Sequence, residues 1–144
     1  MFVTTLRTRG RGYASAMTAR FSLVAIDCPD PVALARFYGA LTGLALAPLE
    51  GPADTVEWVE LDNHGAPTLA FQRVAALPAP TWPEGPQPQR LHLDLAVEDL
   101  DAGEAAALAL GATRAEHQPG TTFRVFYDPI GHPFCLVLAG ASGD

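Results

Sequence analysis

Hydrophobic and polar positions alternate most cleanly over Arg90-Leu91-His92-Leu93-Asp94-Leu95-Ala96-Val97. A period of two predicts a strand with one apolar face, made of Leu91, Leu93, Leu95 and Val97. His92, Asp94 and Ala96 take the other face. His92 and Asp94 are then about 7 Å apart along the strand, from the two-residue rise. A helix follows. Glu98-Asp99-Leu100-Asp101 caps it, Ala102 to Leu110 carries it on, and Gly111 stops it. Leu91, Leu93 and Leu95 must face that helix, so His92 and Asp94 must face away from it.

The same grammar appears earlier in the chain. Phe21 to Cys28 reads as a strand. Asp30 is placed to cap a helix with Pro31 at its first position, running to about Thr42. Leu34, Phe37, Tyr38 and Leu41 form its apolar stripe, and Gly43 is its stop. Short strands are predicted over Ala45–Leu49 and Thr55–Leu61, then a turn at Asp62-Asn63-His64-Gly65, then a strand over Thr68–Val74. After the second helix come strands over Thr113–Glu116 and Phe123–Tyr127, a turn at 128–132, and a last strand over Pro133–Ala139.

Spacing ties the two halves together. Leu23 lies 7 residues before Asp30, and His92 lies 7 before Asp99. Asp30 lies 13 before Gly43, and Asp99 lies 12 before Gly111. Gly65-Ala66-Pro67 precedes one final strand, and Gly131-His132-Pro133 precedes the other. The chain is therefore a duplicated βαβββ module with a period near 68 residues. The fold class is α+β: two tandem modules, each with a helix on one sheet face, the other faces closing into a barrel-like cleft. Leu23 and His92 occupy equivalent positions facing that cleft. Residues 1–19 form an arm without apolar period, expected to be disordered and dispensable. Residues 20–144 form one domain: module one over 20–75, a linker over 76–89 and module two over 90–140. The linker's five prolines predict a stiff, extended segment. Its tryptophan, Trp82, is expected to dock on something.

Composition narrows the partners. The 144 residues are 49% hydrophobic and contain no lysine. Nine arginines against sixteen acids give −7; four of the nine lie in the first 20 residues, among which there is no acid, so the rest carries −11. An acidic body argues against nucleic acid or an anionic membrane as partner. No apolar run approaches the roughly 20 residues of a membrane span. The basic arm lacks the continuous apolar core of a secretory signal, Met17 is favoured over Met1 as the start, and a cytoplasmic location is expected. Cys28 and Cys135 are the only cysteines and are read as reduced thiols.

Certain residues carry more than pattern. Asp27-Cys28-Pro29-Asp30-Pro31, Phe37-Tyr38, Gly43-Leu44, His92-Leu93-Asp94-Leu95-Ala96-Val97, Leu110-Gly111-Ala112 and Asp128-Pro129-Ile130-Gly131-His132-Pro133-Phe134-Cys135-Leu136 resemble the vicinal oxygen chelate superfamily, the glyoxalase and bleomycin-resistance fold. The resemblance spans about residues 21–139. It implies the fold closely and the reaction loosely, because that superfamily includes lyases, isomerases, dioxygenases, thiol transferases and drug-binding proteins.

Metal-dependent members hold an ion with His, Gln or Glu on the first and last strands of the modules. By position, the resemblance offers Leu23, which cannot ligate, His92, which can, Cys135 where Glu is usual, and Gln72 or, by the same parity, Ala70. That set suits neither Mg²⁺ nor Mn²⁺. Zn²⁺ accepts His and Cys, but two protein ligands hold it poorly. No metal or other cofactor is therefore expected, although His92 is where a divalent ion would bind.

The expected function is binding of a small organic ligand in the cleft, by His92, Gln72, Cys135, Trp58, Trp82 and Leu23. The alternative is a lyase or isomerase acting on a vicinally oxygenated substrate, with His92 and Asp94 as its acid–base pair. Asp94 has a plainer role open to it, bonding a backbone amide or an arginine such as Arg90 or Arg124. His64 and His132 read as turn residues and His117 as a solvated loop residue. His92, Asp94, Gln72 and Cys135 are expected to converge on one cavity, opposite Leu23. A homodimer is expected, as two-module chains of the family commonly pair.

Overall fold

The structure is a computed structural model and describes residues 21–140. The basic arm and the choice of start lie outside the described residues.

Ten elements follow the predicted order: β1 (Leu23–Cys28), α1 (Pro31–Thr42), β2 (Ala45–Leu46), β3 (Trp58–Asp62), β4 (Thr68–Arg73), β5 (Leu93–Val97), α2 (Leu100–Ala109), β6 (Thr113–Arg114), β7 (Phe123–Tyr127) and β8 (Pro133–Leu138). They form two four-stranded sheets, ordered β1-β4-β3-β2 and β5-β8-β7-β6. The two orders are the same topology repeated, with a parallel first-to-last pair in each sheet. The duplication inferred from spacing is thus a duplication of structure.

Local chemistry accounts for the helices. The Asp30 side chain accepts a hydrogen bond from Ala33 N at 3.0 Å, Pro31 opens α1, and Gly43 closes it at φ 78°, its N–H donating to Gly39 O at 2.8 Å. Asp99 caps α2 in the same way, accepting from Ala102 N at 2.7 Å. The helices differ in burial. α1 buries Leu34, Phe37 and Tyr38, whereas α2, rich in alanine, buries only Ala107.

The strands are shorter than their patterns. β2 and β6 each span 2 residues, and β5 starts at Leu93, which leaves Leu91 outside the ladder and 49% exposed. An apolar pattern marks which residues prefer burial, but a strand extends only where a partner strand supplies hydrogen bonds.

The two modules share one core on their helix-side faces. Phe37 and Tyr38 of α1 pack edge-on against Phe134 of β8 at 5.9 and 6.2 Å between ring centres, and Tyr38 also stacks on Phe71 of β4 at 5.8 Å. The opposite faces, expected to close into a barrel-like cleft, are open to solvent: Ala25, Asp27 and Trp58 on module one, and Asp94 and Ala96 on module two, are all exposed. Burial of α1 between the modules satisfies its wide apolar stripe, and that packing leaves the cleft faces uncovered.

Candidate functional site

Parallel pairing of β5 with β8 sets Asp94 beside Cys135 and Leu93 beside Phe134. Leu93, Leu95, Phe134 and Leu136 point to the helix-side core. Asp94 and Cys135 therefore share the cleft face, and His92, two residues before Asp94, reaches the same place. His92 Nε2 is 3.4 Å from Asp94 Oδ1. A nitrogen of His92, a carboxylate oxygen of Asp94 and Cys135 Sγ all lie within 4.8 Å of one another. His92 and Asp94 side chains are 46% and 59% exposed, while Cys135 is buried. The pair stands at a rim and the thiol forms the floor. Burial, and after it the nearby Asp94 charge, pushes the Cys135 thiol up to about 11. At neutral pH it is a protonated thiol, not a nucleophile.

A cavity of about 200 Å³ opens over this floor, lined by Trp82, Gln89, His92, Phe123, Val125 and Cys135 among others. One wall comes from the proline-rich segment. Its ends are tied by Thr81 N donating to Gln87 O at 2.7 Å and Gln87 N donating to Thr81 Oγ1 at 3.1 Å. Trp82 docks, as its apolar bulk requires. Tyr127 Oη donates to its carbonyl at 2.9 Å, and its ring lies 5.4 Å from that of His117. His117 is thus a packing partner of Trp82 as well as a loop residue.

Module one contributes differently. Leu23, Trp58 and Gln72 do lie on its cleft-side face, in register across β1, β3 and β4. None of them lines the His92 cavity. Leu23 borders a separate depression with Phe21, Pro48 and Asn63. Trp58 Nε1 donates to Glu60 Oε1 at 2.7 Å, and Gln72 Nε2 reaches Glu57 O at 3.4 Å. The expected single cavity therefore gathers His92 and Cys135, with Asp94 at its edge, and leaves out Gln72, Trp58 and Leu23. Parity assigns a face, but only the placement of the modules decides which faces meet. Arg124 is also placed elsewhere: it bridges Asp101 and Glu104 of α2 at 2.6 Å each, so it is not a partner of Asp94.

One functional-looking group was not legible beforehand. Asp128, in the turn before β8, is 3% exposed. Its Oδ1 accepts from Ile130 N at 3.0 Å and His132 N at 2.8 Å, and its Oδ2 accepts from Tyr38 Oη at 2.8 Å. Burial raises its carboxyl above the ordinary range, against these bonds. The residue locks the turn that starts β8, and so helps set where Cys135 lies.

A model of the glyoxalase-like domain family matches residues 23–137. The chain belongs to that family. Solved structures of the glyoxalase and bleomycin-resistance fold agree with its architecture. A glyoxalase/bleomycin resistance protein/dioxygenase family enzyme from Burkholderia phytofirmans aligns with TM-score 0.59 at 21% identity, covering 83% of this chain and 98% of that one. A glyoxalase/bleomycin resistance protein from Albidiferax ferrireducens gives 0.55 at 22% identity, over 83% and 98%. The fosfomycin resistance protein FosX from Listeria monocytogenes gives 0.61 at 15% identity, over 85% and 95%. At such identities the likeness is one of fold. No curated protein matches the sequence.

The resemblance implied a divalent ion bridging the modules, and the donors present do not fit it. Leu23 has no ligating atom, and Gln72 turns to the Glu57 carbonyl. What the glyoxalase-like chain does hold is a compact set on module two alone.

Proposed function

We propose that this glyoxalase-like protein binds a small organic ligand over the His92–Cys135 floor, with Trp82 as one wall. The observation that carries the reading is the cavity itself: apolar and aromatic walls with His92 among them and the Asp94 carboxylate 3.4 Å from it, the usual make-up of a ligand site. At about 200 Å³ it lies below the roughly 300–1,000 Å³ of sites for drug-sized molecules. The ligand is compact and planar, with one or two oxygens to meet His92. Binding needs no metal bridging the modules.

The His92–Asp94 contact favours a second reading, in which the pair moves a proton α to a carbonyl of the ligand. Both readings are tested by one series. Small aromatic and unsaturated carboxylates, phenols and ketones are titrated into the isotope-labelled protein and followed by NMR. Shifts centred on Trp82, His92 and Phe123, weakened at least tenfold by His92→Ala, support binding. Shifts confined to module one, or no binding by any compound, refute it. Exchange of α-protons for solvent deuterium, lost in Asp94→Asn, selects the enzyme over the binder.

A further inference from the structure

Gln89 stands out on the wall of the His92 cavity. Residues three apart on a regular strand face opposite ways. A bend at Arg90 breaks that alternation, so Gln89 and His92 line the same cavity. Gln89 Oε1 is buried there and accepts no hydrogen bond from any described residue. A buried carbonyl oxygen without a donor is costly, and such atoms are rare in folded chains. Gln89 as a whole is only half-buried, and its side-chain torsions let the oxygen turn into the cavity.

The neighbouring polar groups share its need. Ionised, Asp94 only accepts hydrogen bonds. His92 Nε2 is 3.4 Å from the Asp94 carboxylate, and a neutral imidazole that donates there keeps Nδ1 as an acceptor. The cavity and its edge thus present three acceptors: Gln89 Oε1, His92 Nδ1 and the Asp94 carboxylate. No arginine lines the cavity, and residues 21–144 carry −11. A second carboxylate brought in by a ligand would meet the charge of Asp94 with no cation on the wall to pair it.

We infer that Gln89 sets the specificity of this cavity: the ligand is a neutral ring compound that gives an O–H or N–H hydrogen bond to Gln89 Oε1, and carboxylates are rejected. This rests on the reading of the cavity as a ligand site and adds which chemistry the site takes. The apolar body of the ring lies against Trp82 and Phe123, while the donor meets the acceptor that the chain itself leaves unpaired.

The test is an NMR titration of the isotope-labelled full-length chain at neutral pH with phenol, aniline, toluene and benzoate. Toluene matches phenol and aniline in size without their donors, and benzoate brings acceptors and a charge. Phenol or aniline should bind at least about fivefold tighter than toluene and benzoate, the lower end of what one buried hydrogen bond contributes, and should shift the Gln89 side-chain amide. Gln89→Leu should abolish that preference while toluene still binds at Trp82 and Phe123. Toluene or benzoate binding as tightly as both donors, a preference that survives in Gln89→Leu, or a Gln89 amide that stays put while phenol and aniline bind overturns the proposal. The amide measurement needs no variant and decides the matter should Gln89→Leu fail to fold. Binding at Trp82, His92 and Phe123 without a donor preference sinks the role of Gln89 and leaves the ligand site standing; silence towards all four, as towards the wider series above, removes both.

Discussion

Replacing Tyr38 by Phe removes one hydroxyl and leaves a buried carboxylate oxygen without its donor. The ring is retained, so its contacts with Phe71, Phe37 and Phe134 persist and no cavity opens. What is lost is the 2.8 Å bond to Asp128 Oδ2, between groups that are 0% and 3% exposed. A hydrogen bond to a charged group contributes about 1.5–3 kcal/mol, and a buried partner left unmade sits towards the upper end. With roughly 120 ordered residues at about 2.1 cal/mol/K each, a loss of about 2 kcal/mol lowers Tm by about 8 °C. The loss should also depend on pH. Burial holds the Asp128 carboxyl above its ordinary range, so its ionisation costs stability as pH rises through that raised value. The Tyr38 bond lowers it, so Tyr38→Phe raises it further. The deficit of the variant should therefore grow as the carboxyl ionises with rising pH and shrink as it is protonated in acid. Urea unfolding of both proteins at about pH 7.5 and about pH 4.5, near the carboxylate range, measures this. A loss below about 0.5 kcal/mol at neutral pH, the scale of an indifferent surface change, or one that grows on acidification, refutes the assignment.

Gly39→Ala should destabilise, although Ala is worth up to about 1 kcal/mol more than Gly in a helix, because its Cβ would lie 2.9 Å from the Leu44 carbonyl oxygen; a rise in Tm would mean that the turn after α1 yields. Cys28 and Cys135 are both pushed up to about 11, chiefly by burial, from an ordinary 9.0, so they stabilise the fold below pH 9 and that contribution is lost as pH climbs from 9 to 11. Native protein should accordingly resist iodoacetamide at pH 8 until denaturant is added, and rapid stoichiometric alkylation would show that the thiols are not buried. His92→Ala should change Tm by no more than about 2 °C, as its side chain is 46% exposed, and a larger fall would make it a packing residue. We propose a homodimer whose contacts centre on apolar strand or helix surface outside the cleft, and a monomer mass by light scattering at micromolar concentration would remove it.

The sequence by itself determined the local grammar and the duplication. Asp30, Pro31 and Gly43 mark the ends of α1 through backbone chemistry that needs no distant partner. Alternation over Leu93–Val97 assigns His92 and Asp94 to the face opposite the leucines, because side chains on a strand have only two directions. Spacing between Leu23 and Asp30, and between His92 and Asp99, exposed the repeat. The rest depended on contacts between residues far apart in the chain. That Asp94 stands beside Cys135 follows from a parallel pairing across 41 residues. That Tyr38 reaches Asp128 crosses 90, and nothing local in either residue announces it. Leu23, Trp58 and Gln72 share one face of module one, yet none lies at the His92 cavity, because a face is a local property and the meeting of two faces is not. α1 carries an apolar stripe wide enough to be buried by both modules at once; once it is, the helix-side faces hold the core and the cleft faces stay open.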